Sequence, residues 1–86
     1  NKKYTREVRR IGRTLLSAGF VQTPDSALEI VVDSTETEFS LVLADRNRNL
    51  TLCSQVIHKT GKTALDISML VNAFTSEVFS SRSVKP

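Results

Sequence analysis

The sequence has no tryptophan, one tyrosine, four phenylalanines, one cysteine, one methionine and one histidine among 86 residues. Each scarcity excludes something. One cysteine cannot make an internal disulfide framework, so stability must come from the core, and the expected setting is intracellular, reducing and cytoplasmic. Cys53 and His58 cannot by themselves build a transition-metal site, and no metal or cofactor is expected. Five residues apart on an extended strand, they would lie about 16 Å from each other, which excludes a thiol–imidazole pair. Cys53 therefore reads as a small apolar filler and His58 as a loop residue. The few aromatics leave little surface on which to stack single-stranded bases. No apolar run approaches the ~18 residues of a membrane-spanning helix, and no signal-peptide pattern occurs. There is also no internal repeat and no low-complexity block.

What is present suits one small domain. The 40% apolar content can fill a single, mostly aliphatic core. A chain of this size buries only a little over ~60% of its unfolded surface, which makes oligomerisation a reasonable source of extra stability. The chain opens on Asn1 and not on Met, so an excised domain or a processed chain is expected. Asn49-Leu50-Thr51 matches a glycosylation sequon, a motif too short to weigh.

Charge is sorted along the chain more strongly than its net value of +3 suggests. Lys2, Lys3, Arg6, Arg9, Arg10 and Arg13 share their segment with one acid, Glu7. Asp25, Glu29, Asp33, Glu36, Glu38 and Asp45 follow with no base among them. Arg46, Arg48, Lys59 and Lys62 then reverse the sign again. Such a molecule has one region suited to phosphates and another that repels them.

Hydrophobic spacing predicts five elements. Tyr4, Val8, Ile11 and Leu15 recur with a helical period, with Leu16 beside them and the arginines on the other side, so a helix is expected from about Tyr4 to Ala18. Gly19 suits the left-handed residue that ends a helix, with Phe20 folding back onto Leu15. Thr23-Pro24-Asp25-Ser26 is a loop. Alternation then predicts three strands. Leu28, Ile30 and Val32 alternate with Glu29, Val31 and Asp33, and Phe39, Leu41 and Leu43 with Ser40, Val42 and Ala44. Leu50, Leu52 and Val56 alternate with Thr51, Cys53 and Gln55, interrupted by Ser54. The short polar connections between strands make both pairings antiparallel. A second helix is expected from Thr63, with Asp66 completing a capping box. Ile67, Leu70, Val71, Phe74 and Val78 form its buried stripe, while Asp66, Ser68, Asn72, Thr75, Ser76 and Glu77 face water. The fold class is α+β: one αβββα domain over residues 1–80, with both helices on one face of a three-stranded antiparallel sheet. Ser81 to Pro86 reads as a disordered tail. The outer sheet face would carry Glu29, Val31, Asp33, Ser40, Val42, Ala44, Thr51, Cys53 and Gln55.

Two constellations suggest chemistry. Arg6, Arg9, Arg10 and Arg13 project from one side of the first helix over roughly 10 Å, and each guanidinium can grip a phosphate with two parallel hydrogen bonds. Lys59 and Lys62 flank Gly61 at the start of the second helix, where free N–H groups favour an anion. Gly61-Lys62-Thr63 is similar to the end of a P-loop, but position 56 is Val56 where that motif needs glycine, which excludes nucleotide hydrolysis on this ground. The carboxylates of the first hairpin form no pocket and read as edge charges that discourage strand addition. No enzyme is expected.

The αβββα order, with a basic first helix and lysines at the second, resembles the double-stranded-RNA-binding-domain fold over roughly Arg6 to Val78. The resemblance implies that the first helix, the first hairpin turn and the start of the second helix contact successive grooves. It departs from that family in having only Lys59 and Lys62 at the second helix, and Glu36 and Glu38 in the turn. Leu15 to Val21 and His58 to Lys62 are also similar to segments of the HicA-type mRNA interferase toxins. The catalytic histidine of those toxins has no counterpart here, since Asp25-Ser26-Ala27 stands at the nearest match, so RNA cleavage is not implied. The expectation is a non-catalytic module binding nucleic acid, RNA before DNA, through phosphate contacts from Arg6, Arg9, Arg10, Arg13, Lys59 and Lys62. The alternative is a protein-interaction or dimerisation domain using the open sheet face (Val31, Val42, Ala44, Cys53) or the basic helix.

Overall fold

The computed structural model describes residues 2–83, with side chains from 4 to 80. Helix α1 (Lys2–Ser17) is followed by strands β1 (Leu28–Ser34), β2 (Glu38–Asp45) and β3 (Leu50–His58), then helix α2 (Thr63–Ser83). The strands form one antiparallel sheet in the order β1-β2-β3. The α+β αβββα architecture is as the hydrophobic spacing predicts. Helix α2 continues to Ser83, into the segment expected to be a tail, and residues 84–86 lie outside the described ones. None of the helices is long and apolar enough to cross a membrane, among the described residues.

Both helices pack on the same sheet face. Ile11 and Leu15 of α1 meet Phe39 and Leu41 of β2, Cys53 of β3, and Ile67, Leu70, Val71 and Phe74 of α2 in one buried cluster. This burial is the main favourable term of the fold. The end of α1 is built as its sequence suggests. Gly19 takes a positive φ of 105°. Its N–H donates to the Leu16 carbonyl at 3.1 Å, and the Phe20 N–H donates to the Leu15 carbonyl at 3.2 Å. These are the two bonds of a Schellman motif, and they direct Phe20 back against the core, where its ring lies 5.8 Å from that of Phe74.

Strand β3 departs from the expected phase. Leu43 faces Cys53 across the sheet, yet Ala44 faces Thr51, so Leu52 is an extra residue in a β-bulge. A bulge shifts the alternation by one. Cys53, Gln55 and Ile57 therefore point inward, and Leu52 and Val56 are exposed. The expected placement of Cys53 and Gln55 on the outer face is corrected accordingly. Gln55 is held from the helix side by a hydrogen bond to the Glu77 carboxylate. His58 ends the strand and is not a loop residue.

The start of α2 is also built differently. Asp66 does not face water but is only 2% exposed. Its carboxylate accepts the Thr60 N–H at 2.8 Å and the Thr60 hydroxyl at 2.7 Å. The reciprocal partner is thus Thr60, three residues earlier than the expected Thr63. The carboxylate reaches back over the helix N-terminus, where the macrodipole favours negative charge. Gly61, with φ of 98°, lets the chain turn between the two. Glu77 likewise leaves the water-facing set, being half-buried against Gln55.

Replacing Asp66 with alanine removes both bonds and leaves the Thr60 N–H without its partner. The expected cost is about 2 to 3 kcal/mol, read as a lower urea midpoint at unchanged m-value. An unchanged midpoint would show that the carboxylate does not anchor this helix end.

Candidate nucleic-acid interface

At about 100° per residue, Arg6, Arg9, Arg10 and Arg13 fall within an arc of about 100° on α1. Tyr4, Val8, Ile11 and Leu15 occupy the opposite arc, with Ile11 and Leu15 buried and Tyr4 and Val8 half-buried. Burial of that stripe turns the arginines directly outward, and all four are exposed. None of their guanidiniums forms an ion pair with a described residue; the pairs present involve Arg46, Arg48, His58 and Lys59.

Lys59 is placed otherwise. Its ammonium lies 2.8 Å from Glu7 Oε1, and the two side chains are only 16% and 17% exposed. The ammonium also lies 5.0 Å from the Tyr4 ring centre and 4.7 Å from that of Phe39, within the range of a cation–π contact. Glu7 Oε1 accepts a second hydrogen bond, from the buried Ser34 hydroxyl at 2.6 Å. Lys59 is therefore satisfied by the fold, and presenting it to a phosphate would break this network. Lys62, by contrast, is exposed and in no ion pair with a described residue.

The rest of the second basic block is engaged at home as well. Arg46 lies 3.5 Å from Glu29 and donates to the Ser26 carbonyl at 2.6 Å, and Arg48 lies 3.7 Å from Asp45. The Lys59 N–H donates to the Thr37 carbonyl at 2.8 Å, which brings the acidic turn with Glu36 beside this corner. Glu38 faces His58 across the strands at 3.6 Å, an ion pair when the imidazole is protonated. The expected cations thus separate into an unobstructed stripe on α1, one exposed lysine at α2, and one lysine spent on structure. Glu7 is the residue that sequence reasoning missed. It is visible as the lone acid of the basic segment, but its partners lie 27 and 52 positions away.

Burial, followed by the charge and hydrogen bond of Glu77, pushes the Cys53 thiol up from its ordinary value, so the nucleophilic thiolate is scarce at neutral pH. Among the described residues, no group of three or more His, Cys, Asp or Glu is placed to hold a metal ion.

The Glu7–Lys59 pair generates a stability prediction. Lys59→Met leaves the Glu7 carboxylate largely buried without its ammonium, and should cost about 2 kcal/mol in urea unfolding. Adding Glu7→Gln to that variant should recover part of the loss; a double variant as unstable as the sum of the two single ones would show no coupling.

Compared with protein-family models, with curated proteins and with solved structures, the chain gives no match.

Proposed function

We propose that this chain is a non-catalytic module that binds nucleic acid, structured RNA before DNA, through the outer face of α1. One observation carries the reading: Arg6, Arg9, Arg10 and Arg13 are aligned on an exposed face with no acid of the described fold paired to them. Each guanidinium offers a planar fork of donors that fits two phosphate oxygens. The stripe is roughly 10 Å long, enough to follow a few phosphates along one groove wall. Lys62 adds a fifth contact at the start of α2, while Lys59 is assigned to the core edge. The turn bearing Glu36 and Glu38 is left out of the contact, since phosphates would repel it. Recognition in this reading is of backbone shape and charge, without base readout.

The open sheet face favours a second reading, contact with a protein partner. Val31, Leu52 and Val56 are exposed there and Val42 is half-covered between them, a small apolar patch beside Glu29 and Asp33. Such a patch suits an apolar partner surface better than a phosphate backbone.

Titration of duplex RNA at several salt concentrations tests the leading reading. Four phosphate contacts give a log–log slope of about −3 to −4. Arg9→Glu with Arg10→Glu should weaken binding about 100-fold or more and flatten the slope, with unchanged circular dichroism because both side chains are exposed. Binding that ignores salt, or survives the double reversal, rules the arginine face out. Loss of a captured protein partner on Val42→Lys, with no RNA binding by the native chain, would favour the sheet-face reading instead.

A further inference from the structure

The two hairpin turns of the sheet stand at opposite ends of β2 and differ in charge. The first, between β1 and β2, holds Glu36 and no base. The second is Arg46-Asn47-Arg48-Asn49, with no acid and all four residues exposed. Helix α1 runs from the one end toward the other. Glu7, in its first half, meets Lys59, whose N–H donates to the Thr37 carbonyl of the acidic turn. Phe20, just past the helix, stacks on Phe79 late in α2. The loop that follows supplies the Ala27 carbonyl, which accepts the Arg46 N–H at 2.8 Å, and the Ser26 carbonyl, which accepts its guanidinium at 2.6 Å. The arginine row of α1 therefore leads toward the basic turn and away from the acidic one.

The basic turn is held in shape by its own residues. Asp45 Oδ1 accepts the Asn47 N–H at 3.0 Å and the Arg48 N–H at 3.3 Å, so the acid at the base of the turn is directed onto its backbone. Arg46 is tied down as well, by the Ser26 carbonyl and by Glu29 at 3.5 Å. Arg48 is different. Its side chain is 77% exposed, and its 3.7 Å pairing with Asp45 runs through Nε, which leaves the two terminal nitrogens to other acceptors. An exposed pair of this kind is weak and readily exchanged. The tip thus presents one guanidinium and two carboxamides on a braced support, so little ordering is needed for contact.

That set of groups can meet a phosphate and neighbouring ribose hydroxyls together. A carboxamide both donates and accepts, and so does a 2′-hydroxyl. The minor groove of duplex RNA is wide and shallow and displays those hydroxyls, which DNA lacks. We infer that the 46–49 turn distinguishes RNA from DNA in the proposed complex, with Arg48 on a phosphate and Asn47 and Asn49 on 2′-hydroxyls of the minor groove. This rests on the nucleic-acid reading of α1. The row on α1 supplies affinity but does not separate the two duplexes, since guanidiniums engage phosphates that both possess. The acidic turn sets the direction in which the duplex extends, because phosphates are repelled at that end and attracted at the other. Arg46 is the brace and not a contact.

The test compares RNA and DNA duplexes of one sequence, about 16 base pairs long, at one low salt concentration. The native chain should bind the RNA about tenfold more tightly. Arg48→Gln should weaken RNA binding about threefold to tenfold and reduce the salt slope by about 1. Asn47→Ala with Asn49→Gly changes no charge, and glycine keeps the positive φ of 53° at position 49. This double variant should bring RNA binding down to the DNA level while DNA binding and the urea midpoint stay as they were. Equal binding of the two duplexes by the native chain, or an RNA preference that survives the double variant, overturns the inference. In either case, binding that is lost on Arg9→Glu with Arg10→Glu leaves the α1 reading standing. A native chain that binds neither duplex overturns both.

Discussion

The Glu7 carboxylate is the point on which the arrangement of the outer surfaces depends. It accepts the Ser34 hydroxyl at the end of β1 and the Lys59 ammonium at the exit from β3, so a single side chain ties α1 to both edges of the sheet. The apolar stripe of α1 settles only which half of the helix is buried. A charged group with these fixed partners adds direction, because sliding or rotating α1 would separate the largely buried Glu7 carboxylate from the Lys59 ammonium, at a cost of about 2 kcal/mol. The stacking of Lys59 over Tyr4 and Phe39 joins the same network to the core. The outward aim of the arginines thus results from the two remote pairings of Glu7 as well as from the helix period.

How much of this is legible in the sequence depends on how far apart the partners lie. The end of α1 is legible in full, since Leu15, Leu16, Gly19 and Phe20 are neighbours and their bonding arises from glycine geometry. The first two strands are legible because a strict alternation decides their faces. The third is not, as the bulge at Leu52 reverses the phase of the residues beyond it, and Ser54 gives the only hint of it. Local spacing marks Asp66 as a capping residue but pairs it with Thr63, because the positive φ of Gly61, which brings Thr60 within reach, is a backbone property. Local spacing also offers Lys59 to an anion and not to Glu7, for a separation of 52 positions carries no local signal. The arginine stripe lies in plain view, and its exposure is set by its period.

The two helices present opposite kinds of surface. Outward-facing α1 has four guanidiniums and outward-facing α2 has no charge at all among its described exposed residues. Both belong to one layer over one face of the sheet, so the difference is not a consequence of burial. Several of the acids that could neutralise the cations are engaged elsewhere: Glu29 by Arg46, Asp45 by Arg48, Glu7 by Lys59. Charge pairing in this molecule takes place mainly around the sheet edges and turns. The helix faces are left as an uncompensated basic surface and a neutral one, which suits contacts of different chemistry made at the same time.

The basic face is also a cost to the isolated fold. Arg6 and Arg10, Arg9 and Arg13, Arg6 and Arg9, and Arg10 and Arg13 are neighbours on the helix surface, and like charges at these spacings each destabilise a helix by about 0.2 to 0.5 kcal/mol. Helix α1 also carries no acidic residue in its first turn and no basic one in its last, so it forgoes the usual dipole compensation. Alternating glutamates at two of the arginine positions would remove the repulsion and leave every buried contact unchanged. A domain this small has limited core to offset such terms. In the proposed reading the arrangement would become favourable with anions on the face, because a phosphate would screen the repulsion between guanidiniums while forming its own bonds with them. The electrostatic strain of α1 in isolation and the proposed binding of phosphates would in this sense have one origin, the uncompensated row of guanidiniums.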